Sequence, residues 1–251
     1  MDLDIDTLVN ALVAARNGSG GPVAAQRLSH LTLDQAMEIQ SKVQAALGET
    51  TAAAKISVVD GGALIAPIFA GAVVGDGETF SMPRRSFIAL EIEVAAVLGQ
   101  DYPAAATAGN AEDLSAAIDH FVVGIEVLGT RLVQREEAGK FGAVADNLTG
   151  AGYVVGRQKI GALADIEGLP VRVTLPGGET RELSARHPFG GPLAPILAFG
   201  RQPHRHFPAL RKGVVVTTGS LTTPVAFAEA GEVTMQLGDY DPVSFTLDLT
   251  D

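Results

Sequence analysis

Leu90-Glu91-Ile92-Glu93-Val94, inside an apolar run from residue 88 to residue 98, carries two carboxylates at a spacing of two. Side chains alternate between the faces of a β-strand, so Glu91 and Glu93 share one face while Leu90, Ile92 and Val94 pack on the other. Such a pair repels itself and, if buried, must be paired, protonated or neutralised by a cation. The plain alternative is the solvent face of an edge strand. A second apolar run, Val122-Val123-Gly124-Ile125-Glu126-Val127-Leu128, holds Glu126 alone. Three carboxylates with no nearby His, in a chain without Cys, favour a hard ion such as Mg²⁺ or Mn²⁺ over Zn²⁺.

Outward from these runs, residues 55–59, 72–74, 153–155, 214–217, 232–237 and 243–249 are β-branched, apolar or alternating, and read as strands. Residues 171–175 followed by Pro176-Gly177-Gly178 read as a hairpin. Helices come first. Residues 4–17 place Ile5, Leu8, Val9, Leu12 and Val13 on one stripe, and Thr32 with Gln35 forms a capping-box pattern ahead of Ala36, Ile39, Val43 and Leu47. Short helices are expected after Asn110 and over residues 192–199. Helices followed by strands, without regular alternation, predict one α+β domain over residues 1–251. Its residues 1–50 form an N-terminal helical segment and 51–251 a β-rich catalytic body.

Composition narrows the function. With 251 residues the chain can bury a sizeable core without disulfides or a structural metal. A net charge of −11 repels phosphate backbones, so nucleic acid and anionic membrane are excluded as broad partners. Absence of Cys removes thiol nucleophiles and zinc–thiolate sites. An acidic start and an apolar, uncharged stretch of only 15 residues, 61–75, interrupted by Pro67, predict a soluble, cytoplasmic protein. There is no Gly-x-Ser-x-Gly elbow, P-loop or Gly-x-Gly-x-x-Gly fingerprint, which argues against the corresponding hydrolases, NTPases and dinucleotide enzymes.

Other candidates are weaker alone. Lys55 follows four small residues and reads either as a surface lysine or as a desolvated amine of lowered pKa. Asp146-Asn147 precedes a strand as a polar turn. Gly219-Ser220-Leu221-Thr222-Thr223 follows a strand and offers hydroxyls and backbone N–H groups to an anion, or is an ordinary turn. His187, His204 and His206 lie among Arg, Pro and Gly and read as solvated basic loop, although His187 and the 201–211 segment could also attract a distal carboxylate.

In order, Lys55-Ile56, Ala66-Pro67-Ile68-Phe69, Glu91-Ile92-Glu93, Glu126-Val127-Leu128-Gly129-Thr130-Arg131, Asp146-Asn147, Gly219-Ser220 and Leu237-Gly238 resemble the pattern of the fumarylacetoacetate hydrolase superfamily. The nearest branch is that of the 2-keto-4-pentenoate hydratases and 4-oxalocrotonate decarboxylases. The resemblance implies a mixed β-sandwich or roll, Mg²⁺ or Mn²⁺ held by Glu91, Glu93 and Glu126, and a homo-oligomer. It further implies a small 2-oxo acid or 2-hydroxydienoate substrate of aromatic catabolism, with Lys55 as catalytic proton shuttle or charge partner. Ser220, Thr223, Asp146 and Asn147 are then substrate-binding. The implied reaction is hydratase-like, with water added through a metal-stabilised enolate. Decarboxylation of a 2-oxo-3-enedioate, or a non-catalytic partner subunit of the same fold, are the alternatives. Two departures bear on this choice: Ile68 stands where the hydratases carry an acid after the proline, and Ser57 stands where a glycine follows Lys-Ile.

Overall fold

A computed structural model of the chain describes residues 4–103, 110–202 and 205–251. The first helix, Ile5–Arg16, starts at Asp4, whose carboxylate accepts from Thr7 N at 3.1 Å. The second, Leu33–Ala46, has the expected capping box: Gln35 N donates to Thr32 Oγ1 at 3.3 Å and Thr32 N to Gln35 Oε1 at 2.9 Å. Each side chain satisfies a donor the helix itself leaves open.

From Thr51 onward the chain builds two main sheets. From edge to edge the larger runs Gly62–Phe69, Thr51–Val59, Val215–Thr217, Phe87–Leu98, Ile118–Gly129, Gly150–Val155 and Val73–Gly75. Neighbours are antiparallel except that Thr51–Val59 runs parallel to Val215–Thr217, and Gly150–Val155 parallel to Val73–Gly75. The smaller sheet runs Thr180–Ser184, Pro170–Thr174, Gly231–Leu237, Val243–Thr250 and Thr79–Pro83.

Burial follows the pleat. Leu90, Ile92 and Val94, with Val123, Ile125 and Val127, pack against Val233, Met235, Phe245 and Leu247 of the smaller sheet. Farther along the same face, Ala54, Ile56, Ala96 and Leu98 pack against the helical residues Leu8, Leu12, Ile39 and Val43. The opposite face holds a small separate cluster of Ala53, Ile68, Ala95, Val122, Tyr153 and Val215. The carboxylates project from that face.

This is the α+β architecture with a mixed, curled sheet that the sequence predicts. Besides two-residue strands and single 3-10 turns, three longer elements escape the sequence reading. Gly62–Phe69 is a strand despite Pro67, because it lies at the sheet edge where a missing N–H breaks no inner ladder. Thr79–Pro83 joins the smaller sheet beside Val243–Thr250, a pairing far apart in sequence. Gly139–Ala145 is a helix with two glycines and no side-chain cap, held by tertiary contact: Gln40 donates to Val144 O and, at 3.3 Å, to Ile65 O. No helix among the described residues is long and apolar enough to cross a membrane.

Candidate metal centre

Register assembles the site. Across the antiparallel pair Phe87–Leu98 and Ile118–Gly129, Glu91 stands opposite Glu126 and Glu93 opposite Gly124. Tyr153 lies opposite Glu126 from the other side, and Thr217 is opposite both Ala95 and Lys55. Residues in register share a face, so Lys55, Glu91, Glu93, Glu126, Tyr153 and Thr217 all project from the face that carries the small apolar cluster. The sheet is therefore one wall of the site, and its strand order brings together groups scattered from residue 55 to residue 217.

One oxygen from each of Glu91, Glu93 and Glu126 lies within 4.8 Å of the others. That is about twice the ~2.0–2.6 Å at which hard cations take oxygen ligands. Lys55 Nζ sits 2.9 Å from Glu126 Oε1 and 3.7 Å from Glu91 Oε2. Glu93 Oε2 accepts from Thr218 N at 3.1 Å and Gly219 N at 3.3 Å, the backbone N–H groups at the strand end. The loop read as an anion holder thus holds the protein's own carboxylate. Glu126 is fully buried, and its Oε2 has no hydrogen-bond donor among the described residues. A buried carboxylate oxygen without a donor is costly, and a divalent cation would supply the missing partner. The all-oxygen donor set suits a hard ion.

The electrostatics say the same. Burial pushes the Glu91 carboxyl up to about 7, with Glu126 adding to the rise and Lys55 opposing it. Glu93 is held well above its ordinary range by burial first, then by the charges of Glu126 and Glu91. Burial alone would lower Lys55, but the three carboxylates and the hydrogen bond to Glu126 outweigh it and the net shift is upward. This corrects the lowered pKa expected of a desolvated amine: a lysine facing three acids stays an ammonium. Ionising all three carboxyls against one ammonium would leave negative charge that a divalent cation balances in place of a proton.

Sequence reasoning missed Tyr153 and misplaced His187. Tyr153 is fully buried, its hydroxyl 2.5 Å from where a Cβ on Gly124 would stand, beside Glu93 and Glu126. Only a residue without a side chain at position 124 leaves that space. His187, read as solvated loop, is instead buried. Its Nδ1 accepts from Phe189 N at 3.2 Å and Gly191 N at 3.1 Å, which assigns the ring proton to Nε2, 3.3 Å from Thr218 Oγ1. Thr218 Oγ1 donates in turn to Val94 O at 2.6 Å, so the histidine braces the turn that holds Glu93. Burial lowers the His187 pKa, partly offset by Glu167. No local sequence signal marks Tyr153 or His187, because their neighbours come from other strands.

The remaining expected residues lie around the cluster in different ways. Asp146 is buried with both oxygens engaged, one by Arg131 Nε, the other by Thr130 Oγ1 at 2.6 Å and Arg131 N at 3.1 Å. Asn147 Nδ2 donates to Pro67 O at 2.9 Å, fixing the backbone that presents Ile68. A Cβ on Gly150 would lie 3.3 Å from Glu126 Oε1 and 3.6 Å from Ile68 Cγ1, so Ile68 borders the carboxylates. Ser220 and Thr223 line a separate cavity of about 830 Å³ with Arg186, His187 and Thr222, and Ser220 Oγ donates to Thr222 O at 2.8 Å. Arg205 and His206 reach Asp34, and Arg211 pairs with Asp101 at 2.7 Å. His204 lies outside the described residues.

A curled mixed sheet presenting three converging carboxylates and a lysine from one buried face defines a protein equipped to hold a divalent cation beside a proton-bearing group. Residues 50–246 match the family model described as fumarylacetoacetate (FAA) hydrolase C-terminal, and the chain belongs to that family. Its fold is shared with 4-oxalocrotonate decarboxylase from Pseudomonas putida G7, complexed with magnesium and adipate, at a TM-score of 0.79 and 18% identity over 96% of this chain and 98% of that one. The same decarboxylase complexed with calcium and acetate gives a TM-score of 0.78 at 18% identity, again over 96% and 98% of the two chains. The 5-carboxymethyl-2-hydroxymuconate delta-isomerase from Mycobacterium smegmatis is more distant, with a TM-score of 0.55 and 15% identity over 80% of this chain and 79% of that one.

Proposed function

We propose that the chain is a metal-dependent lyase of small 2-oxo acids, with Mg²⁺ or Mn²⁺ held by Glu91, Glu93 and Glu126. The observation that carries this reading is the buried triad whose Glu126 Oε2 lacks any donor among the described residues while Lys55 stands 2.9 Å from Oε1. A divalent cation bound there supplies a Lewis acid for the charge that develops on the 2-oxygen of a 2-oxo acid. Thr218 N and Gly219 N hold Glu93 in place, and His187 holds Thr218. Lys55, kept protonated by its acidic neighbours, holds the proton that the substrate carbon takes up when a bond to it breaks.

Two reactions share this requirement, and the Ile68 wall separates them. Hydration needs a group that delivers or activates water at the distal carbon, and Ile68, beside Glu126, has no transferable proton. Decarboxylation of a 2-oxo-3-enedioate needs only charge stabilisation and a proton donor, which Lys55 provides. We favour decarboxylation, a reading supported by the likeness in fold to a 4-oxalocrotonate decarboxylase. The test is incubation with a 2-oxo-3-enedioate and Mn²⁺, with CO₂ release and hydroxylated product measured side by side. Metal-dependent CO₂ release supports the reading, hydroxylated product reinstates the hydratase, and no turnover with intact metal binding points to a non-catalytic subunit.

A further inference from the structure

A second cavity, of about 170 Å³, is lined by Arg16, Ser86, Arg131, Gly71, Phe80 and Ala151, among others, and by none of the residues of the carboxylate cluster. Arg16 ends the first helix, and its guanidinium carbon stands 4.7 Å from the centre of the Phe69 ring. Stacking uses the face of the guanidinium and leaves its five in-plane N–H donors around the edge. Among the described residues none of these donors has a hydrogen-bond acceptor, and no carboxylate reaches Arg16 within 4.0 Å. Glu49, the nearby acid, accepts instead from Gly71 N at 3.3 Å.

Arg131, on the same cavity, differs: Asp146 neutralises it. Of the two serines, Ser81 donates to Asp248 at 2.9 Å, whereas the Ser86 hydroxyl has no side-chain partner among the described residues. Burial and the neighbouring Arg131 charge pull Arg16 down to about 9, with Asp146 and Glu49 opposing. A half-buried guanidinium beside a second one, with a spare hydroxyl and a concave space between them, lacks one thing: an anion.

We propose that Arg16 and Ser86, backed by Arg131, form a binding site for a small oxyanion, either a carboxylate or inorganic phosphate. Arginine suits this role because its planar fork pairs with two oxygens at once. The test is thermal unfolding and calorimetry of the full chain at pH 7.5 without divalent metal, titrated separately with inorganic phosphate and with succinate against chloride at matched ionic strength. The expected result is a saturable rise in Tm with at least one oxyanion, following the mass-action form for a ligand of the folded state. Arg16→Met should weaken binding by about tenfold or more, and Ser86→Ala, at a half-exposed position, by a smaller factor while keeping the fold. Lys55→Met should leave the response intact, which separates this cavity from the metal centre. Response to phosphate alone identifies a phosphate-bearing ligand, and response to succinate alone a carboxylate. No effect beyond chloride, or an equal effect in wild type and Arg16→Met, overturns the proposal.

Discussion

Glu91 offers the sharpest quantitative test, because its carboxyl is raised from 4.5 to about 7 in the metal-free fold, chiefly by burial. At about 1.36 kcal/mol per unit, the shift corresponds to about 3 kcal/mol. The sign follows from linkage. A carboxyl whose folded pKa lies above its unfolded value contributes stability that is fully present below pH 4.5 and is lost as pH rises through about 7. Glu91→Gln cannot ionise and escapes this loss. In the absence of metal, wild type and Glu91→Gln should therefore have similar stability near pH 4.5, and at pH 8 the variant should be more stable by about 3 kcal/mol. For a chain of this size that is roughly 6–12 °C in Tm. Saturating Mn²⁺ at pH 8 should invert the order, stabilising wild type but not the variant, because the ion replaces the proton on the carboxylates. The assay is calorimetric unfolding of both chains from pH 4.5 to 8, with and without Mn²⁺. A difference that stays flat with pH, or a metal-free variant less stable than wild type at pH 8, would mean that burial does not hold a proton on Glu91.

Three further outcomes follow from the same geometry. Lys55→Met should lower turnover by about 10²–10⁴ while Mn²⁺ still binds, as calorimetry would show; loss of both together would make Lys55 a structural residue rather than the proton donor. Ile68→Asp places a carboxyl beside Glu126 and should raise the ratio of hydroxylated product to CO₂, read by product chromatography, with an unchanged ratio counting against the division of labour drawn at that wall. Asp146→Asn leaves the buried Arg131 without its counter-charge and should cost about 3–5 kcal/mol in denaturant unfolding; a change below about 1 kcal/mol would mean the pair is dispensable.

The carboxylate cluster holds like charges in a buried space, and the fold neutralises them with short-range devices. Backbone N–H groups of Thr218 and Gly219 meet Glu93, an ammonium meets Glu126, and Gly124 leaves room for the Tyr153 phenol. His187 braces one of these devices without touching a carboxylate. Each part comes from a different strand or loop.

Local periodicity and capping are legible in the chain without its fold. Glu91 and Glu93 share a face because strand side chains alternate, and the fold keeps that face apart from the Leu90, Ile92 and Val94 core. Asp4, Thr32 and Asn110 start helices because each supplies an acceptor that the first turn lacks. Ordered motifs along the chain pointed to the family that residues 50–246 match. Tertiary structure alone decided that Glu126 stands opposite Glu91, since antiparallel register is a property of two strands and one residue of slip would turn the carboxylate to the other face. It alone brought Lys55 to the acids, through Val215–Thr217 lying between two strands that precede it by more than a hundred residues. It also reversed the readings of Lys55 and His187, because pKa and burial depend on neighbours in space, and those neighbours are distant along the chain.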